Sequence, residues 1–228
     1  MKKIALIPAR GGSKRIPHKN IKPFCGKPII AYPICTALQS KLFDEVIVST
    51  DSKEIATIAQ SFGANVPFMR PKHLSDDFTP TAAVAAHAVN MLCLSERDLL
   101  CVIYPTAPLL RAQTIQNALE SLLADSTKCF SFCAVSYEYN PHRSFYIKNN
   151  ALEMIFPAHY LTRSQDLDPL YHDAGQFYWG HAGAWRAQLP IFAPHSCVEI
   201  IPANAAQDID TLEDWQIAEM KYKLFKEC

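Results

Sequence analysis

Five short apolar runs recur along this chain, separated by segments of helical spacing, and that alternation limits the possible folds more than any other feature. The runs are Ile4–Ile7, Glu45–Asp51, Val66–Met69, Leu99–Tyr104 and Cys129–Val135. Near-continuous apolar runs of this length suit strands buried on both faces of a parallel sheet. Between them, helices are expected over 28–40, 52–62, 81–94 and 111–124, with Gly63 closing the second. Pro28 stands near the first position of the first helix, whereas Pro33 removes a backbone donor and predicts a bend. Thr79 or Thr81 is expected to cap the third. Strand–helix alternation of this kind predicts an α/β fold, a mostly parallel Rossmann-like sheet with helices on both faces.

The pattern changes near Tyr137. Residues 137–172 are rich in aromatic residues and proline, and Asn149-Asn150 predicts a hairpin turn between Phe145–Lys148 and Ala151–Phe156. This antiparallel excursion reads as a lid or a partner surface. Tyr137, Tyr139, Phe145, Tyr146, Phe156 and Tyr160 would be unusually exposed on a lone hairpin, which argues for a dimer seam. The competing reading folds the hairpin back onto its own domain. Beyond it, Asp173–Gly180 is a strand in which Gly175 implies close approach of a ligand or of backbone. Residues 197–201 form a late strand, and a final helix runs to about Phe225. No repeat divides the chain, so residues 1–228 are expected to form a single domain.

Charge is balanced overall, 22 Lys and Arg against 22 Asp and Glu, but unevenly placed. Residues 1–43 hold nine basic residues and no acidic one, leaving 13 basic against 22 acidic in the remainder. The basic segment follows the first strand and reads Pro8-Ala-Arg-Gly-Gly-Ser-Lys-Arg-Ile-Pro-His-Lys-Asn20. Its glycines let backbone N–H groups approach a ligand while Arg10, Lys14, Arg15 and Lys19 supply charge, a cradle for a small polyanion such as a nucleoside triphosphate. It is neither a Walker loop, which ends in Gly-Lys-Ser/Thr, nor a dinucleotide fingerprint, which needs three spaced glycines. A solvated basic loop is the plainer alternative, and zero net charge is a poor footprint for nucleic acid.

Near the other end, Asp208-Ile-Asp210 puts two carboxylates on one side of an extended segment, where they could grip one hard cation and leave room for water and phosphate, as magnesium requires. Capping of the final helix is the alternative. Ser49, Thr50 and Asp51 close a strand at the edge where open α/β sheets bind ligands, although Asp51 could equally cap the helix that follows. Eight cysteines lie scattered with no C-x-x-C pair and read as small buried hydrophobes, with neither a disulfide nor a zinc site expected. No apolar stretch approaches the roughly 20 residues that span a bilayer, and the run after Lys2 and Lys3 is too short for a signal sequence, so a cytoplasmic protein without membrane partners is expected.

Taken together, Ile7–Asn20, Val48-Ser-Thr-Asp51, Arg70-Pro71, Pro105-Thr-Ala-Pro108 and Asp208-Ile-Asp210 resemble the CMP-sialic acid synthetases, cytidylyltransferases that activate nine-carbon acidic sugars. The likeness keeps the motifs in order over nearly the whole chain. Tyr171–Gly180 resembles the branch that makes CMP-pseudaminic acid, and Tyr104 stands where the sialic acid branch typically has Gln. The resemblance implies a nucleotidyltransferase sheet and a homodimer, with residues 137–172 serving dimerisation and the sugar site. It implies that Arg10, Ser13, Lys14 and Lys19 hold the CTP phosphates, with Ala9, Gly11 and Gly12 in the same stretch, and that Asn20, Arg70 and Thr81 contact cytosine or ribose. Asp208 and Asp210 would hold Mg²⁺. Tyr104, Arg163, Gln176 and Tyr178 would face the sugar, His142, Arg143, His172 and Asp173 being lesser candidates. Catalysis would rest on Arg10, Lys14, Lys19 and Asp210, and no general base stands out. N-acetylneuraminic acid, legionaminic acid or 3-deoxy-manno-octulosonate remain alternative sugars, and a non-catalytic nucleotide-binding module is the alternative of a different class.

Overall fold

A computed structural model describes residues 1–226. In chain order its elements are β1 (Lys3–Pro8), the two-residue strands β2 (Pro23–Phe24) and β3 (Lys27–Pro28), α1 (Ala31–Ser40), β4 (Glu45–Ser49), α2 (Lys53–Ser61), α3 (Thr81–Met91), β5 (Leu99–Ile103), α4 (Ala112–Ala124), β6 (Phe130–Ser136), β7 (Phe145–Lys148), β8 (Ala151–Met154), β9 (Tyr171–His181), α5 (Ala182–Arg186), β10 (Ser196–Ile200) and α6 (Leu212–Lys226). Six strands form one sheet in the order β10-β6-β9-β5-β1-β4. All pairings are parallel except those of β9, which runs antiparallel to both β5 and β6. The expected α/β sheet is therefore the observed one.

Each face of the sheet carries its own core. One packs Ile34 and Ala37 of α1 with Ile30 just before it, Ile55 and Ala59 of α2 and Ile115, Ala118 and Leu122 of α4 against alternate strand residues such as Ile7, Val48, Cys101 and Trp179. The other packs Ala85, Ala88 and Val89 of α3 and Trp185 of α5 against Leu6, Leu100, Phe130 and Tyr178. Strand β5 and the middle of β1 are apolar throughout because both of their faces are covered.

Several local expectations are corrected. Val66–Met69 is not a strand: it has only isolated bridges, Asn65 to Ile47 of β4 and Met69 to Thr50 just beyond it, and Pro67 between them has no N–H to extend a ladder. Pro28 lies in β3 rather than in a helix. Since α1 starts at Ala31, Pro33 falls in its first turn, where the missing N–H has no intrahelical partner to lose. Neither threonine caps α3, whose N-cap is Pro80. The Thr79 hydroxyl donates to Asp76 at 2.7 Å instead. Of the described cysteines only Cys101 and Cys133 are fully buried, Cys93 is exposed and none forms a disulfide; Cys228 lies outside the described residues.

The hairpin forms as the sequence predicts. Asn149 and Asn150 take φ of 51° and 60°, the left-handed pair of a type I′ turn, between paired strands β7 and β8. This ribbon shares no hydrogen-bonded edge with the main sheet, and the six aromatic residues named for the excursion are all exposed.

Gly180 shows how tightly the second core is filled. A Cβ there would lie 2.5 Å from the Phe130 ring and 2.6 Å from Nε1 of Trp185, the atom that donates to the Leu100 carbonyl at 3.0 Å. Gly180→Ala is expected to cost about 1–3 kcal/mol through overpacking, read as a fall in Tm of several degrees. An unchanged Tm would mean that this corner of the core is looser than described.

Candidate functional site

The C-terminal ends of β1, β4 and β5 open on one edge of the sheet, and the polar loops that follow them meet there. They enclose a cleft of about 570 Å³ whose lining includes Arg10, Ser13, Lys14, Arg15, Lys19, Asn20, Arg70, Thr81, Tyr104, Asp208 and Asp210. The basic segment and the distant carboxylate doublet thus share one cavity. A second cleft, of about 530 Å³, lies on the other side of the doublet and also reaches Asp208 and Asp210, together with His172, Asp173, Asp214 and Lys221.

A small apolar cluster makes the two ends of the chain meet. Ile16 of the basic loop and Ile209 between the two aspartates are both buried against Phe24, Ile29, Tyr32 and Trp215. With Ile209 turned inward, the extended backbone leaves Asp208 and Asp210 toward the clefts. Lys19 secures the junction: its Nζ donates to the Ile209 carbonyl at 2.6 Å and lies 3.7 Å from the Asp210 carboxylate. Burial draws the Lys19 ammonium below its ordinary range against the pull of both aspartates. Arg15 pairs with Asp210 at 2.8 Å.

Capping of α6 falls to other residues. Thr211 Oγ1 accepts from the Asp214 amide at 3.2 Å, and the Asp214 carboxylate takes the Thr211 amide at 2.8 Å and the Asp210 amide at 3.0 Å. This reciprocal cap leaves the carboxylates of the doublet free of that task. At Asp208 the cleft walls strip water from the carboxylate, and with the nearby Asp210 charge they push its pKa up. A cation would relieve that strain. Among the described residues no group of three or more His, Cys, Asp or Glu forms a metal cage. Two carboxylates open to phosphate and water are the donor set that suits magnesium better than an all-protein site.

Other sequence candidates fall in varied places. Asn20 lines the cleft and holds the basic loop in shape, its amide donating to the Arg10 carbonyl at 2.9 Å. Arg70 is 5% exposed, donates from Nε to Ser75 at 3.1 Å, and has no partner for Nη2. A buried guanidinium nitrogen left unpaired at a cleft is a donor awaiting an acceptor. Thr81 and Tyr104 line the cleft with hydroxyls 3.1 Å apart. Ala9, by contrast, is packed in the core, its amide donating to the Ser49 carbonyl. The Gly11 amide is not free for a ligand, because it donates to Asp51 at 2.9 Å, and a Cβ at Gly12 would meet nothing within 4 Å. Asp51 is therefore a brace for the basic loop rather than a cap; the cap of α2 is Ser52. Gln176 lines neither cleft: its buried amide donates to the Ala205 carbonyl at 2.7 Å. Tyr178 is also buried, its phenol donating to Asp173, and reaches the second cleft only through that carboxylate. Arg163, His142 and Arg143 lie on the excursion and line neither cleft, while His172 and Asp173 line the second.

Two contributors had no sequence signal. Asp77 pairs with Arg10 at 2.6 Å and with Lys14, engaging two cations of the cleft. Lys221, on α6, donates to the Ala203 and Ala206 carbonyls and to Gln207, fixing the loop that leads to Asp208. Asp77 lies in a run readable only as a polar loop, and Lys221 in an ordinary helix. Their roles come from tertiary contact.

The sequence pattern of the family described as cytidylyltransferase matches residues 4–200. The chain is 46% identical to a pseudaminic acid cytidylyltransferase of Campylobacter jejuni, over 98% of this chain and 97% of that one. It is 31% identical to a CMP-N,N'-diacetyllegionaminic acid synthase of Legionella pneumophila, covering 100% and 99%. A solved CMP:2-keto-3-deoxy-manno-octonic acid synthetase complexed with CTP shares the fold, with a TM-score of 0.73 at 19% identity over the whole of both chains.

A carboxyl whose pKa is raised by folding costs stability once the pH exceeds its unfolded value, since the folded protein then carries a charge it disfavours. In the presence of a chelator, Asp208→Asn is expected to raise Tm at neutral pH. The gain should shrink as the pH falls through the raised native value toward the ordinary carboxylate range, below which both folded and unfolded states carry the proton. A variant less stable than wild type at neutral pH would contradict this account of the doublet.

Proposed function

The chain belongs to the cytidylyltransferase family, and from that premise we propose that it joins CTP to pseudaminic acid, forming CMP-pseudaminic acid and pyrophosphate. One observation carries the reading: the basic segment and the acidic doublet line a single cleft, and a second cleft meets it at the doublet. Either volume suits a small-molecule ligand. The choice of sugar is supported by 45–46% identity, over nearly the full length, to two pseudaminic acid cytidylyltransferases.

The triphosphate takes the first cleft. Arg10, Ser13, Lys14 and Lys19 face its phosphates, which replace Asp77 as the partner of Arg10 and Lys14. Arg70, with its unpaired nitrogen, faces cytosine or ribose with Asn20 and Thr81. The sugar enters the second cleft, past Tyr104 and the Tyr178–Asp173 pair. Its anomeric hydroxyl attacks the α-phosphorus in line, the bond to the β-phosphate oxygen breaks, and pyrophosphate leaves. Positioning across the two clefts and neutralisation by the cations supply the rate. Magnesium fits Asp208 and Asp210, where it would offset phosphate charge and steady the pyrophosphate leaving group.

The exposed hairpin supports a homodimer. Ile147 and Leu161 are 75% and 88% exposed beside its aromatic residues, an apolar surface that a second copy would cover. Such a seam would carry Arg163 and Arg143 to the partner, and Arg163 suits a sugar carboxylate. Among the described residues no helix is long and apolar enough to cross a membrane. The use of CTP favours the cytoplasm.

Pyrophosphate release from CTP over a panel of acidic sugars tests the assignment. Pseudaminic acid is expected to exceed N-acetylneuraminic and legionaminic acids, and no release with any of them would refute it. In the same assay Lys19→Ala is expected to lower turnover by about 10²–10³, the scale of losing a charge-stabilising donor; near-normal turnover would remove Lys19 from the phosphate site. Ile147→Lys is expected to shift the protein toward monomer in sedimentation, and an unchanged mass would place the seam elsewhere.

A further inference from the structure

The second cleft holds a carboxylate that its surroundings aim but do not neutralise. Asp173 is half-buried, and among the described residues it forms no ion pair. Its Oδ1 accepts from the Gly175 amide at 3.0 Å, and its Oδ2 accepts from the Tyr178 phenol. An ionised carboxylate has about four acceptor positions, so two remain for whatever fills the cleft.

The backbone is built to present this group. Gly175 takes φ of +63°, and the pairing of β9 with β6 shifts register between Phe132 and Ala134, so β9 bulges next to Asp173. The Asp208 side chain lies 3.7 Å from the position a Gly175 Cβ would take, which brings the doublet against the same bulge. Burial pushes the Tyr178 phenol far above its usual range, so it stays a donor. Its ring meets Tyr104 edge-on with centroids 5.6 Å apart, and the Tyr104 hydroxyl lies 3.1 Å from that of Thr81 in the first cleft. A line of hydroxyls thus runs from the nucleotide side to Asp173.

We propose that Asp173 determines acceptor specificity, its carboxylate taking hydroxyl and acylamido N–H donors of the sugar while Tyr178 acts as its positioning residue. The inference rests on placing the sugar in the second cleft. Asp173, Asp208, Asp210 and Asp214 make that cleft acidic, so it suits the donor-rich face of the sugar, and the sugar's own carboxylate must turn away from this wall.

Asp173→Asn separates this role from a purely structural one, because asparagine keeps an oxygen for the Gly175 amide but loses the charge. The variant is expected to raise KM for pseudaminic acid by about tenfold or more, the scale of a lost charged hydrogen bond. KM for CTP, CTP binding by calorimetry and Tm are expected to stay near wild type. Tyr178→Phe is expected to raise KM for the sugar in the same direction by a smaller factor, again without affecting CTP. A sugar KM within about twofold of wild type in Asp173→Asn overturns the inference, as does a joint rise of both KM values with a lower Tm. An unchanged sugar KM in Tyr178→Phe overturns the positioning role. If wild-type protein releases no pyrophosphate with pseudaminic acid, the functional reading itself falls; if wild type is active and Asp173→Asn behaves like it, only this inference falls.

Discussion

The burial of Ile16 and Ile209 in one small apolar cluster is the constraint on which the site depends. Neither residue belongs to the large cores on the two faces of the sheet. Their cluster, built on Phe24, Tyr32 and Trp215, lies beyond the sheet edge and pins a loop near the start of the chain to an extended segment near its end. Water exclusion from these side chains gives a non-directional attraction. Direction comes from the Lys19 ammonium on the Ile209 carbonyl and from the edge-on contacts of Phe24 with Tyr32 and Trp215. Without this plug the cations and the doublet would belong to two unrelated loops.

Electrostatics then organises what the plug has gathered. The cleft is largely self-neutralised, Asp77 answering Arg10 and Lys14 while Asp210 answers Arg15 and Lys19. Such partly exposed pairs are each worth little, roughly 0–1 kcal/mol, so an incoming polyanion exchanges one set of partners for another at small cost. Asp208 stands apart: its carboxyl is pushed up despite the Lys19 charge nearby, and among the described residues it forms no ion pair. Arg70 is its counterpart of opposite sign, a buried guanidinium with one nitrogen unpaired. These two groups are the least satisfied in the cleft and mark where ligand contacts add most.

Much of this was readable in the sequence. Apolar runs and helical spacing set the sheet and its two helical layers, and Asn149-Asn150 set the hairpin, since two successive residues tolerant of positive φ select a type I′ turn. Local reading went astray where a neighbour distant in sequence took over a polar group. Asp51, equally readable as a cap, serves the Gly11 amide instead; capping of α6, the alternative for the doublet, stays a local matter between Thr211 and Asp214. Gln176, which the family resemblance placed against the sugar, turns into the core, because the bulge at Gly175 shifts the alternation along β9.

By itself, then, the sequence determined the class of fold, the basic character of the first loop, the spacing of the doublet and the turn of the hairpin. Each depends on properties of residues close together in the chain: period, φ preference and local charge. The tertiary structure alone decided that loop and doublet meet in one cleft, that Asp77 pairs with the cations of the cradle, that Lys221 holds the approach to Asp208 and that Tyr178 aims Asp173. Those are pairings between residues far apart in the chain, and which donor meets which acceptor is settled only when the apolar clusters close around them.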